Sequence, residues 1–250
     1  DNHASKYLLA LKVYDVEKSM SRGNTKIRSV KTKDIAFATT SESTNMLLPL
    51  CIPHDATWNR VRETGAALWV LDNNALCSMG ERVARQQFLQ NDRDPNSCLL
   101  LYAALGKSKV VAGLFKLKRE EKKYLFFMND FSQERWKSAA LKNAYALMKQ
   151  HKYELAAAFF ILGGKILESA RVIEKNMGDV QLALFIIRVF EHTSVNVREN
   201  TITKEWIEGR LVEFAREKND YWLLYVAYKL LDKTSDIKKE LANVANGSNT

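Results

Sequence analysis

Proline and glycine are scarce in this chain, with 3 Pro and 10 Gly among 250 residues. Average usage is roughly 5% and 7%, and both residues punctuate the turns of strand-rich folds. Their shortage excludes a turn-dense β architecture and favours helices joined by short connections. The cysteines Cys51, Cys77 and Cys98 are odd in number, lack CxxC spacing and stand near no His pair. That pattern excludes a disulfide frame or a zinc site and reads as the reduced thiols of a cytosolic protein. No run approaches the ~18 consecutive apolar residues of a membrane span. A basic-then-apolar opening with a small-residue cleavage site is also missing, so no secretory signal is expected. The chain opens at Asp1 rather than Met and enters a helical pattern by Ser5, so a segment of a longer protein is expected.

Spacings that carry chemistry are missing as well. Lys165 follows Gly163-Gly164, but GxxxxGK[ST] is absent and the next residue, Ile166, has no hydroxyl to offer magnesium. A helix end marked by a glycine pair is the better reading. His3, His54, His151 and His192 are scattered, none in HExxH or another ligand spacing, and His151 sits in a short connection beside Lys152. There is no GxSxG elbow and no Cys with a local His partner. No enzyme, cofactor or metal is expected.

Helical periodicity is what the sequence does contain. Val61, Ala66, Leu68, Trp69 and Leu71 suggest one helix, and Met79, Val83, Ala84, Phe88 and Leu89 the next. Asp94-Pro95 is a helix start, with Leu99, Leu100, Ala103 and Ala104 on the inner face and Gly106 at the close. Val110, Val111, Leu114 and Phe115 hold a further short helix. Trp136, Ala139, Ala140, Asn143, Ala144 and Leu147 fall on one face of a helix from about Ser132 to Lys149. Tyr153 to Leu162 is apolar on nearly all sides. Ile166, Leu167, Ala170, Ile173 and Met177 form an amphipathic face, and Asp179 caps an apolar helix from Val180 to Phe190. Trp206, Ile207, Leu211 and Phe214 are amphipathic again, and Tyr221 to Leu231 is apolar.

Helices with one apolar face thus alternate with helices apolar almost all round, which need cover on several sides. Stacked hairpins supply that cover. The expected fold is all-α, an α-solenoid of stacked helical hairpins, with a compact bundle second. No TPR-like or ankyrin-like residue signature appears, so the repeat is architectural. Residues 1–53 read as an irregular helical part, with a helix over residues 5–20, a basic loop from Lys18 to Lys33 and a short helix capped by Thr32. Residues 54–243 read as the solenoid core and 244–250 as a frayed polar tail.

The net charge of +9 admits nucleic acid, an anionic membrane face or an acidic protein. Base stacking on tryptophan is the weaker reading, because Trp69, Trp136, Trp206 and Trp222 fall on apolar helix faces where they pack. Lys107, Lys109, Lys116, Lys118, Arg119, Lys122 and Lys123 set seven bases against Glu120 and Glu121. A solvated helix end is the first reading of this stretch, and a docking patch for an acidic partner or a phospholipid surface the second.

Several of these segments together resemble a known family. They include Asp94-Pro95 with CLLLYAAL (98–105), Lys107 to Lys116, and FMNDF (127–131). The strongest are RWKSAALKNAY (135–145), HKYELAAAFF (151–160), and DVQLA (179–183) with RVFE (188–191). Weaker similarity lies in Ile35-Ala-Phe37 with Ser41-Glu-Ser43 and in Trp58 to Trp69. The set is similar to the conserved helical region of the rabconnectin/DmX-like scaffold, the large subunit of the RAVE complex. Departures at Gly106 and Gly163-Gly164 sit at helix ends.

The resemblance implies a longer chain with β-propellers upstream and no catalysis. Its implied partners are cytosolic-sector subunits of the V-type proton ATPase, including the C subunit, and other RAVE subunits. It implies promotion of pump reassembly, and a cytoplasmic location peripheral to endosomal or vacuolar membranes through those partners. It supplies no binding motif at residue level, and no nucleic acid is expected. A vesicle-coat or tethering solenoid is the alternative, with RNA binding and a hidden enzyme behind it.

Overall fold

The computed structural model describes residues 48–194, 201–233 and 235–236, and every regular element among them is helical. The helix expected over residues 5–20, the basic loop, the Thr32-capped helix and the polar tail lie outside the described residues. Two compact units are present, residues 1–93 and 94–250.

The first unit holds α1 (Leu48–Cys51), α2 (Trp58–Thr64), α3 (Ala66–Trp69) and α4 (Asn73–Gln90). The single helix expected through Leu71 is broken at Gly65, whose φ of 65° is left-handed. Hydrogen bonds seal the break. Trp69 Nε1 donates to the Thr64 carbonyl at 2.9 Å, and Thr64 Oγ1 to that of Val61 at 2.9 Å. Leu71 lies beyond the break and is 47% exposed rather than packed. Asp72 caps α4 by accepting from the Asn74 amide at 2.8 Å.

The second unit is an all-α stack of successive helical pairs. A 3₁₀ turn (Pro95–Cys98), entered through an Asp94 cap on the Asn96 amide, leads into α5 (Leu99–Ala104). Then follow α6 (Ser108–Leu117), α7 (Glu121–Phe127), α8 (Glu134–Lys149), α9 (Tyr153–Leu162), α10 (Ile166–Met177) and α11 (Val180–Thr193). A last group comprises α12 (Thr201–Trp206), a π-helical turn (Ile207–Leu211), α13 (Val212–Glu217) and α14 (Tyr221–Leu230). Each of α8 to α11 packs on its chain neighbour. All six residues of α5 are buried, because α5 packs on α9 and α11 as well as on α6. That explains its apolar run without alternation.

The architectural repeat has a geometric signature. Gly106, Arg119, His151, Gly164, Asn219 and Asp232 all have positive φ, between 53° and 74°. In each case the residue's amide bonds the carbonyl three back and the next residue's amide bonds the carbonyl five residues before itself, as in Gly106→Ala103 with Lys107→Tyr102. This is the Schellman closure. Three helices of ten residues, α6, α9 and α14, lie between such turns spaced thirteen apart (106 to 119, 151 to 164, 219 to 232). Each carries a buried residue five past the first turn (Val111, Ala156, Leu224) and an aromatic residue nine past it (Phe115, Phe160, Tyr228). That aromatic residue's carbonyl accepts the longer bond of the following turn.

Some face assignments change. Asn143 is exposed and donates to the Ala139 carbonyl at 2.9 Å, so the inner face of α8 is narrower than its periodicity suggests, with Ala140 and Ala144 at its centre. Trp69 and Trp206 are buried, but Trp222 is 39% exposed and stacks on Tyr225 at 5.5 Å. Glu191, buried on α11, caps α12 from outside that helix. It accepts from the Ile202 amide at 2.7 Å, the Thr203 amide at 3.1 Å and Thr203 Oγ1 at 2.6 Å.

Candidate docking surface

The seven bases of the 107–123 stretch run from the start of α6 to the first turn of α7. They are distributed over the whole α6–α7 hairpin and the Schellman turn between its helices. Lys107 precedes α6 and is half-buried, whereas Lys109 and Lys116 are exposed along α6. Lys118 and Arg119 sit in the turn, Arg119 at the left-handed position with φ 60°. Lys122 and Lys123 are exposed in the first turn of α7.

An aromatic cluster holds this hairpin in place. Phe115 of α6 stacks on Phe127 of α7 at 5.3 Å with the ring planes 10° apart. Phe126 meets Phe131 at 5.4 Å, Trp136 of α8 at 6.3 Å and Phe159 of α9 at 5.7 Å. Such pairs contribute about 0.5–1.5 kcal/mol each beyond area burial, so the hairpin is fixed to α8 and α9. The sequence shows these residues only as an apolar run; their convergence needs the fold.

Lys123 and Lys116 are partly committed. Lys123 Nζ pairs with Glu120 at 2.6 Å and lies 4.9 Å from the Phe115 ring centroid. Lys116 Nζ lies 5.2 Å from the Tyr124 ring centroid. The two cation–ring contacts stitch the hairpin across its seam, each worth under about 1 kcal/mol at such exposure. Lys109 adds to the field at Asp130. There the Ser132 amide, donating at 2.9 Å, is the first cause holding the carboxyl below its usual range, with Lys109 a smaller one.

Charge patterning did not show that α6 is apolar on its outer side too. Val111, Ala112 and Phe115 are buried, while Lys109, Val110, Gly113, Lys116 and Leu117 are all exposed. Steps of one, three, three and one put those five on one helix face. Leu117 is 80% exposed and Val110 43%. A Cβ built at Gly113 would meet nothing within 4 Å. On α7, Leu125 and Met128 are exposed as well. The available signal was a pair of aliphatic residues seven apart, out of phase with the buried set and spanning a mid-helix glycine.

Among the described residues, no three of His, Cys, Asp and Glu form a group able to hold a metal. His151 Nδ1 bonds the Tyr153 hydroxyl at 2.6 Å on an exposed turn. Cys98 is buried, and desolvation pushes its thiol up to about 12, the reverse of what a nucleophile needs. The Glu154 carboxyl is likewise raised by burial.

Comparison with known proteins places the chain in a family. Over 231 residues the chain is 31% identical to "Regulator of V-ATPase in vacuolar membrane protein 1" of Saccharomyces cerevisiae, covering 90% of this chain and 16% of that protein. The protein of the same name from Schizosaccharomyces pombe is 27% identical over 257 residues, covering 97% and 19%. "DmX-like protein 1" of Mus musculus is 38% identical over 145 residues, covering 58% of this chain and 5% of the relative. The chain thus spans less than a fifth of the length of the curated relatives it matches. The family described as "RAVE protein 1 C terminal" matches residues 1–245, nearly the whole chain, and the chain belongs to that family.

Proposed function

We propose that this chain is a non-catalytic scaffold segment that binds cytosolic-sector subunits of the V-ATPase, the C subunit among them. It works with the other RAVE subunits to promote reassembly of the proton pump. The observation that carries this reading is the similarity over 90% of the chain to a protein named as a regulator of the V-ATPase. A stack of short helices closed by Schellman turns suits the task, because it presents several rigid faces along one chain. Faces that hold two subunits at once convert the second binding step into an intramolecular one, raising effective concentration into the millimolar range. The Lys107–Lys123 hairpin is the face we assign to an acidic partner surface. Among the described residues no helix is long and apolar enough to cross a membrane, and we place the segment in the cytoplasm, at vacuolar or endosomal membranes through its partners.

The test is retention of purified V-ATPase cytosolic sector, and separately of the C subunit, on the immobilised segment with its helicity checked by circular dichroism. Binding of either, weakened by salt and by Lys109→Glu with Lys122→Glu, is expected. A folded segment that retains neither refutes the proposal.

A further inference from the structure

We propose that the outward face of α6 docks an acidic amphipathic α-helix of a protein partner, whose backbone crosses at Gly113. Three features of that face carry the inference. Val110 and Leu117 are exposed aliphatic residues two turns apart, with Lys109 and Lys116 beside them. A partner helix with an apolar stripe edged by Asp or Glu matches both the spacing and the charge.

Gly113 is the second feature. It lies mid-helix without positive φ, and the space around its absent Cβ is open, so no contact or turn among the described residues requires glycine there. An exposed mid-helix glycine disfavours the helix relative to alanine. Close approach of another backbone is what a residue without a side chain permits.

The third feature is rigidity, since the Phe115–Phe127 stack and the Phe126 contacts fix the hairpin that presents the face. Little ordering remains to be done on binding. A phospholipid surface fits less well. Membrane insertion gains from bulky apolar side chains, and a glycine at the centre of the stripe adds nothing there.

The inference rests on reading the chain as a protein-binding scaffold, but not on the V-ATPase being the partner. It is tested with a benzoylphenylalanine photo-crosslinker at Leu117 in the intact protein in cells, Lys175 on α10 serving as the control site and adducts sequenced by mass spectrometry. An adduct on an acidic amphipathic helix is expected, and Gly113→Ala should reduce it about tenfold by wedging a methyl into the contact. The same substitution should raise the melting temperature, which separates lost docking from lost folding. Adducts on a V-ATPase cytosolic-sector subunit support both readings. Adducts on an acidic helix of another protein support this inference and count against the V-ATPase assignment. Lipid adducts, yields no higher than at Lys175, or yields unchanged by Gly113→Ala overturn the inference.

Discussion

Replacing glycine by alanine should have opposite signs at two positions of the second unit, Gly164 and Gly113. Neither position offers a steric reason for a difference, since a Cβ built at either meets nothing within 4 Å. Packing therefore cancels and only the backbone remains. Gly164 has φ 74° and closes α9 in the Schellman turn. A left-handed alanine there costs about 1–2 kcal/mol in the folded state, and the stiffer unfolded chain returns about 0.4–1 kcal/mol. The net expectation is a loss of about 0.5–1 kcal/mol. Gly113 sits inside α6 without positive φ, where alanine is favoured by roughly 0.8–1 kcal/mol.

For a unit of this size each kcal/mol moves the melting temperature by about 2–4 °C. Gly164→Ala should therefore melt about 1–4 °C lower, and Gly113→Ala about 2–4 °C higher. Thermal melts by circular dichroism at 222 nm resolve both. Equal signs for the two variants, or a rise at Gly164, would refute the assignment of Gly164 to a backbone role. His151→Gly should behave as the converse of Gly164→Ala, because His151 occupies the same turn position at φ 57°.

Glu154→Gln should become more stabilising as pH rises. Burial holds the Glu154 carboxyl above its ordinary value of 4.5 in the folded state, so the wild-type contribution is fully present below that unfolded value and is lost as pH rises through the folded value. Melts at pH 4 and pH 7 should show the gap to the variant widening in glutamine's favour. Cys98, with its buried thiol at about 12, should resist iodoacetamide under native conditions while partly exposed Cys77 is alkylated, as read by peptide mass spectrometry. Glu191→Ala removes the acceptor of three hydrogen bonds at the start of α12, and unsatisfied buried donors cost about 1–3 kcal/mol each. Accelerated amide exchange at Ile202 and Thr203 is the expected readout.

Much of the helical order was legible because it depends on burial periodicity. The apolar runs of α9, α11 and α14 read as helices apolar on nearly all sides, whereas α5, read with a single inner face, is found buried throughout against α6, α9 and α11. The failures have physical causes. Burial resumes at Ala66 after Val61 and Thr64, so periodicity runs through the Gly65 break without a gap. The π-helical turn at Ile207–Leu211 leaves Trp206, Ile207 and Leu211 all buried. A helical reading of those residues is satisfied with or without the widened turn. Trp222 was assigned to the core by its apolar neighbours, yet residue type does not say which side of α14 is covered. On the α6–α7 hairpin, charge density along the sequence located the bases. Val110 and Leu117 stayed hidden because aliphatic residues in a helix are read as core until a structure shows which face is turned away.

The repeat was the least legible feature, and its turns explain why. The left-handed position requires only a backbone angle, and it is filled by Gly, Arg, His, Gly, Asn and Asp in turn. Each non-glycine occupant costs about 1–2 kcal/mol, which the two closing hydrogen bonds and the packing of the flanking helices offset. Selection for the turn therefore leaves almost no residue signature. A signature does remain at the next position, which is Lys in four of the six turns: Lys107, Lys152, Lys165 and Lys233. Cations are favoured there because the last carbonyls of the preceding helix carry partial negative charge, worth about 0.3–1 kcal/mol each. Part of the +9 balance is therefore a by-product of closing short helices rather than a footprint for nucleic acid. Lys107 belongs to both accounts, because the turn it completes opens the hairpin on which the other six bases of the docking stretch are carried.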